Sequence, residues 1–179
     1  MHIVCVIGSN YDKSVGVQII LNIVKSLGHN YTYEILDLKN LNTRFCLGCG
    51  SCFNTGLCPL DSVDDLSFIK NTLKSADIII LYSSVYVLSV SGLMKNLIDR
   101  CVLYCHTLEL GGKLGFTITS TSETGGQKVS EYLKQVQTSM RIKNLDNYIY
   151  RKVDNNVSDF ILEVSKKIDY KIKIYKFKK

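Results

Sequence analysis

Four of the seven cysteines fall in one short stretch, as Cys46, Cys49, Cys52 and Cys58 in a C-x2-C-x2-C-x5-C array. Cysteinate is the standard ligand of iron–sulfur centres, and a short C-x2-C-x2-C run is the usual bacterial vehicle for a cubane. Gly48, Gly50 and Gly56 permit the tight chain path that four converging thiolates need. Pro59 biases Cys58 toward extended backbone and removes one N–H, so the chain leaves the centre in a defined direction. Four thiolates also suit zinc, although two adjacent x2 gaps without a second knuckle fit a cubane better. A third reading is a loop of small residues and free thiols lying against an organic cofactor. The cysteines alone leave these three open. Cys5 lies in an apolar run, and Cys101 and Cys105 stand four apart on one expected helix, so all three read as core or interface residues. His2, His29 and His106 are scattered, and no catalytic residue is assigned.

The elements that must position this stretch alternate between strand and helix. Residues 2–7 form a short β-branched apolar run ending at the turn signal Gly8-Ser9-Asn10. Ser14 is the expected N-cap of a helix over 15–27, and Gly28 takes the C′ position. Residues 31–38 alternate as a second strand, and the cysteine stretch follows as a long loop. A helix after Asp61-Ser62 runs through Leu66, Ile69, Leu73 and Ala76. Residues 77–82 form a third strand, whose run Ile78-Ile79-Ile80-Leu81 implies burial on both faces. A helix over 92–105, a strand over 113–120, a helix to Met140, a strand over 145–153 and a helix over 157–170 complete the chain. Five strands and five helices in alternation imply an α/β three-layer sandwich with a parallel sheet of order 2-1-3-4-5. Ligands of such sheets bind at the carboxyl ends of the strands, near the switch point between strands 1 and 3.

That rule selects three loops. Residues 8–14 offer Gly8 for a sharp turn, the hydroxyls of Ser9 and Ser14, and the free amides of a helix start, which together can cradle a phosphate. The glycine pattern is neither G-x-G-x-x-G nor a Walker A, which argues against a dinucleotide-binding Rossmann unit and an ATPase. Residues 83–91 are polar at the ends and apolar in the middle, where Val85, Tyr86, Val87 and Leu88 suit a flat ring system with polar edges. Residues 120–126 are small enough to approach a ligand with their backbone.

Composition bounds the rest. At 179 residues, 46% hydrophobic and 21% charged, the chain can bury one core, and no apolar run is long enough for a membrane span. Met1-His2-Ile3 runs straight into apolar sequence without a basic segment, so no signal peptide is expected and a cytoplasmic protein with reduced thiols is. The net charge of +6 includes seven lysines from Lys166 onward, read as a solvated helix face with a frayed end. No nucleic-acid motif accompanies them.

In this order, the residues resemble the NADPH-dependent FMN reductase branch of the flavodoxin-like superfamily. Gly8-Ser9 followed by Ser14 is similar to that family's opening phosphate loop. The block from Ser83 to Lys95, followed by Asp99-Arg100, is similar to its Thr-Pro-Val-Tyr start and Ser-x-x-x-Lys…Asp-Arg end, with Ser84 in place of the usual proline. Thr119 to Gly126 resembles its third flavin-contacting loop. The cysteine spacing is similar to that of the iron–sulfur flavoproteins, a subgroup whose loop holds a [4Fe–4S] cluster beside FMN. The Asp-Asp pair usual after the last cysteine stands two residues late, at Asp64-Asp65.

The resemblance implies a single flavodoxin-like FMN-binding domain over 1–179, with a cysteine-rich insertion loop at 43–61. It implies that Ser9, Ser14 and the Val15 amide hold the FMN phosphate. Ser84, Val85, Tyr86, Val87, Leu88, Ser89 and Val90 would line the isoalloxazine, and Ser120, Thr121, Gly125 and Gly126 would close its far edge. Cys46, Cys49, Cys52 and Cys58 would ligate the cluster, in the loop region flanking the flavin pocket. Lys95 and Arg100 read as surface cations that pair with acids such as Asp99 or solvate their helix. The implied function is an FMN-dependent oxidoreductase or electron-transfer flavoprotein, linked to NAD(P)H or ferredoxin, with the cluster relaying electrons. It would serve a redox partner protein or a small-molecule acceptor, as a homodimer or tetramer with each cluster near a neighbouring subunit's flavin. The alternatives are a cluster-free NAD(P)H-dependent flavin or quinone reductase and a non-enzymatic FMN-binding electron carrier.

Overall fold

Strands with near-continuous apolar sequence are stable only where both faces are covered, and the central strands are covered completely. The computed structural model describes residues 1–11, 14–154 and 156–177. Its strands are β1 (His2–Gly8), β2 (Thr32–Asp37), β3 (Ile78–Ser84), β4 (Leu114–Thr121) and β5 (Lys143–Arg151). They form one sheet of order β2-β1-β3-β4-β5, parallel throughout. This is the expected order.

Alternation along each strand sends side chains to two cores. Ile3, Cys5 and Ile7 with Ile78, Ile80 and Tyr82 face α1 (Val15–Ser26) and α6 (Val157–Phe177). Val4, Val6, Ile79 and Leu81 face α3 (Leu66–Ser75), α4 (Gly92–Arg100) and α5 (Gly126–Ser139). At about 1.5–3 kcal/mol for each fully buried aliphatic side chain, these two layers supply the main driving force for folding. The expected cap is present, with Ser14 Oγ accepting from Val17 N, and the structure adds a second, Ser91 Oγ accepting from Met94 N. Gly28 follows α1 at φ +78°.

β5 runs two residues earlier than the expected 145–153, and the elements differ more substantially in three further places. The cysteine stretch is not loop throughout, because Ser51–Thr55 form a short helix, α2, between Gly50 (φ +71°) and Gly56 (φ +75°). The helix after the second loop stops at Arg100. Cys101 N is shared between Leu97 O and Ile98 O, and the chain then tightens into a 3-10 turn over Val102–Cys105. The last helix does not fray at Tyr170. Phe160, Val164, Ile168 and Ile172 continue a buried stripe at helical spacing, so packing extends it. Its lysines stand on the solvated side of the helix, where Lys167 pairs with Glu163, Lys171 with Asp146 and Lys173 with Asp169. Lys178 and Lys179 lie outside the described residues. No helix among the described residues is long and apolar enough to cross a membrane.

One buried polar side chain holds the β4–β5 half together. The β4–β5 register shifts between Gly115 and Phe116. Gln137, on α5 and fully buried, donates through Nε2 to Ile79 O and Phe116 O, both at 3.1 Å, and accepts from Asn144 Nδ2 at 2.8 Å. Gly115 leaves room for it, since a Cβ there would lie 2.4 Å from Gln137 Oε1. Gln137→Ala strands these partners in the core, and urea unfolding should show a loss of about 2–4 kcal/mol.

Candidate functional site

The three loops emerge side by side at the carboxyl edge of the sheet, because β1, β3 and β4 are adjacent and parallel. Ser9, one residue past β1, is buried, and its Oγ has no hydrogen-bond partner among the described residues. Ser14 is committed as the α1 N-cap, and Val15 opens that helix. Asp12 and Lys13 lie outside the described residues. The second and third loops are joined by Val85 N donating to Ser120 O at 2.9 Å. Gly125 (φ +79°) lets them touch, since a Cβ there would lie 2.9 Å from Val85 Cγ1 and 3.0 Å from Leu88 Cδ2.

Inside the second loop, Tyr86 and Ser89 exchange two backbone hydrogen bonds of 2.9 Å. The two residues between them sit at positive φ, Val87 at 47° and Leu88 at 60°. Positive φ at both central positions is the pattern of a type I′ turn, which normally calls for Asn-Gly. A β-branched residue there is strained, at about 1–3 kcal/mol per position. The turn's hydrogen bonds return about 0.5–1.5 kcal/mol each, so strain and bonding nearly balance. Val87 is 98% exposed, so no packing at the tip compensates. Val90, by contrast, is buried in the core on the α3–α5 side, and its side chain is committed there.

Below the loops lies a polar cluster that the sequence reading missed. Tyr82 is fully buried, with its hydroxyl 2.5 Å from Ser120 Oγ and 3.1 Å from Ser84 Oγ, while those two lie 3.3 Å apart. Burial raises the Tyr82 pKa, outweighing the two serine hydrogen bonds, which keeps the phenol protonated. The ring reaches under the first turn of α1, where a Cβ on Gly16 would meet Tyr82 Cζ at 1.9 Å. In the sequence Tyr82 is one more large residue in an apolar run, and only its neighbours across the sheet reveal the cluster. Thr121 Oγ1 donates to Thr124 O, and Gly126 opens α5.

The four motif cysteines line one cleft of about 410 Å³, together with Phe53, Pro59, Leu60, Asp99, Arg100 and Val102. Cys46 and Cys49 are exposed, and Cys52 and Cys58 half-buried. Among the described residues, no three Cys, His, Asp or Glu side chains are drawn close enough to hold a metal ion. The donor type suits a sulfur-ligated centre, but the four thiols are not gathered into one. Ser51 holds the Cys49 thiol below its ordinary pKa through its hydroxyl, 3.3 Å from Sγ, and its backbone. Among the described residues, none of the three loops lines this cleft. Ser91 caps one end of α4 and Arg100 closes the other, and nine helical residues span about 13 Å.

What anchors the cleft corrects the reading of Arg100, which neither solvates its helix nor pairs with Asp99. Its side chain is 1% exposed. Nη1 donates to Asp64 Oδ2 at 2.6 Å and to Arg44 O at 2.7 Å, and Nη2 to Asp61 Oδ1 at 3.1 Å. Asp64 also accepts from Arg44 N and Leu66 N, both at 3.0 Å. Asp65 closes the same gap: Asn42 N donates to its carboxylate at 2.7 Å, and its own amide donates to Asn42 O at 2.9 Å. Asn96 Nδ2 reaches Thr43 O and Thr43 Oγ1, each at 3.3 Å. The acids two residues late in sequence are thus the pins of the cysteine loop. Lys95 does pair with Asp99, as expected.

A parallel five-stranded sheet of this order, with its ligand edge formed by these loops, defines the flavodoxin-like class. Residues 1–153 match the NADPH-dependent FMN reductase family, and the chain belongs to it. An iron-sulfur flavoprotein of Archaeoglobus fulgidus is 33% identical over 107 residues, covering 59% of this chain and 48% of that protein. One of Clostridioides difficile is 28% identical over 142 residues, covering 75% and 61%. The chain spans about half the length of the first of these relatives. Solved structures share the fold at lower identity. An apo NADH:FMN oxidoreductase superposes with TM-score 0.71 at 16% identity, covering 95% of this chain and 87% of that one. An FMN-dependent NADH-azoreductase from Bacillus anthracis, in complex with FMN, superposes with TM-score 0.69 at 14% identity, covering 95% and 97%.

Two outcomes follow from these contacts. Burial alone would raise the Asp64 pKa, but Arg100 and the amides of Leu66 and Arg44 outweigh it and hold the carboxyl below the ordinary range. A carboxyl depressed in the folded state stabilises fully above its unfolded pKa of about 3.9, and that stability is lost as pH falls through the folded value. Asp64→Asn should cost about 3 kcal/mol at pH 7 and flatten the acid limb of a stability–pH profile below pH ~4. Val87→Asn relieves the turn, and the ligand-free protein should gain about 1 kcal/mol in thermal or urea unfolding.

Proposed function

We propose that the chain is an FMN-dependent, NAD(P)H-linked oxidoreductase whose four-cysteine cleft carries a [4Fe–4S] cluster. The observation that carries the flavin part is the buried Ser9 Oγ, without a hydrogen-bond partner among the described residues, at the edge where the three loops meet. A buried hydroxyl without a partner is a free-energy cost that a phosphate oxygen would remove. Ser9, Ser14 and the Val15 amide are assigned to the phosphate. The second loop from Ser84 to Ser89 and the third from Ser120 to Gly126 are assigned to the ring. FMN, when bound, supplies hydride and single-electron chemistry that no side chain here offers.

The chain's own residues bind and orient. The Tyr82–Ser84–Ser120 hydroxyls fix the two ring loops over the first turn of α1. The strained Tyr86–Ser89 turn presents apolar Val87 and Leu88 at the lip, where they exclude water from the ring edge. Cys46, Cys49, Cys52 and Cys58 would hold the cluster, which would add a one-electron path. That all four line one cleft supports this assignment, as do the relatives described as iron-sulfur flavoproteins. The exposure of Cys46 and Cys49 favours a second reading, a cluster-free flavin or quinone reductase.

Anaerobic purification with flavin, iron and sulfide assays separates the two. Flavin with iron and sulfide supports the first reading, and flavin alone the second. Failure of the reconstituted protein to bind FMN would sink both. Ser9→Ala should weaken FMN binding about tenfold, read by quenching of flavin fluorescence, as expected for one lost hydrogen bond to a charged group. Cys49→Ser should remove iron and leave FMN affinity unchanged.

A further inference from the structure

Three hydroxyls meet on the α1 side of the sheet, where apolar side chains would pack as well. Ser84 and Ser120 are register partners at the ends of β3 and β4, and Tyr82 stands two residues before Ser84 on the same face. Phenylalanine at 82 would keep the ring, and alanine at 84 and 120 would keep the strands. The hydroxyls are placed for one another instead. Tyr82 Oη lies 2.5 Å from Ser120 Oγ, Ser120 Oγ donates to Ser84 Oγ at 3.3 Å, and Ser84 Oγ lies 3.1 Å from Tyr82 Oη. A glycine in the first turn of α1 makes room for them, since a Cβ on Gly16 would lie 2.1 Å from Tyr82 Oη. A phenol is a far stronger acid than an alcohol, and burial keeps this one protonated, so Tyr82 is the donor in the shortest contact. Ser120 passes the bond on to Ser84. The proton left over is that of Ser84. Tyr82 and Ser120 are buried, whereas Ser84 is half-buried, at the last position of β3 before the second loop.

We propose that Tyr82 is a positioning residue for the flavin: it acts through Ser120 to aim the Ser84 hydroxyl, as a hydrogen-bond donor, at the bound ring. This rests on the flavin reading above. Without ligand, the Ser84 proton closes on Tyr82 Oη, so none of the three hydroxyls is stranded. Turning that proton to an acceptor on the ring opens the triangle but leaves each of its oxygens hydrogen-bonded. The ring then gains a donor without any buried polar group losing its last partner. Each bond in such a chain polarises the next, so a Ser84 hydroxyl that accepts from Ser120 is a better donor than an isolated one. The reduced ring is richer in electrons than the oxidised one and gains more from such a donor. The chain of hydroxyls therefore raises the midpoint potential of the flavin.

The test measures FMN binding by fluorescence quenching in wild type, Tyr82→Phe, Ser84→Ala and the double variant, with spectroelectrochemical titration of the first two. Ser84→Ala should weaken FMN binding about fivefold and Tyr82→Phe about threefold, as for one neutral hydrogen bond lost or loosened. The double variant should bind no more weakly than Ser84→Ala alone, and Tyr82→Phe should titrate at a more negative potential than wild type. A Tyr82→Phe protein whose FMN affinity or potential is unchanged overturns the proposal and leaves Tyr82 a packing residue, whatever its stability. Losses that multiply in the double variant also overturn it, because the two residues then act separately. A wild type that binds no FMN sinks the flavin reading and the proposal together, a result distinct from either. Should Tyr82→Phe fail to fold, Ser120→Ala cuts the same chain one link later. It enters the same cycle with Ser84→Ala, and an unchanged affinity overturns the proposal.

Discussion

The ion cluster of Arg100 with Asp64 and Asp61 is the interaction on which the placement of the cysteines depends. The cysteine loop leaves the sheet after β2 and returns at α3, and no strand or long helix holds it on the way. Closing a flexible loop of about twenty residues costs close to 3 kcal/mol in chain entropy beyond a constant. The clamp offsets this with several charge-assisted hydrogen bonds of about 1.5–3 kcal/mol each, and with the backbone exchange between Asn42 and Asp65. A buried ion pair adds little net stability over an apolar pair of the same shape. Its value here is position: both arms of the loop are tied to the end of α4, which is packed on the sheet.

That position separates two chemistries along one helix. Ser91, at the start of α4, belongs to the loop assigned to the flavin ring, and Asp99 and Arg100, at its end, belong to the cysteine cleft. In the proposed reading, the two groups of one copy lie toward opposite ends of α4. A neighbouring copy would offer electrons a route between them, which fits the association implied by the resemblance. The exposed Phe45, Leu47, Phe53 and Leu57 around the cleft leave apolar surface available for such a contact.

At the flavin edge the constraint is of another kind. The Tyr86–Ser89 turn is held in a backbone conformation that its residues disfavour, and Ser9 keeps a hydroxyl buried without a partner among the described residues. Both are local costs that the surrounding fold sustains. The Tyr82 hydroxyl cluster and the Gly125 contact stiffen the loops from below, so the site is built before any ligand arrives.

Much of this architecture was legible in the sequence because the signals are local. The Ile-rich runs of β1 and β3 announce strands buried on both faces. Ser14 announces a helix start, and strand–helix alternation leaves few sheet orders open. The cysteine donor set was equally plain from spacing. The fate of Arg100 was not. Its partner Asp64 lies 36 residues away, and nothing beside it in the chain distinguishes a buried guanidinium from a solvated one. Tyr82 and Gly16 likewise acquire meaning only when α1 is laid over β3. Periodicity, caps and donor identity are properties of neighbours along the chain, so the sequence alone determined the sheet, the three loops and the kind of ligand four cysteines can offer. Burial and pairing between distant residues exist only once the chain has folded back on itself, so only the tertiary structure decided where the cysteines sit and which cation holds them there.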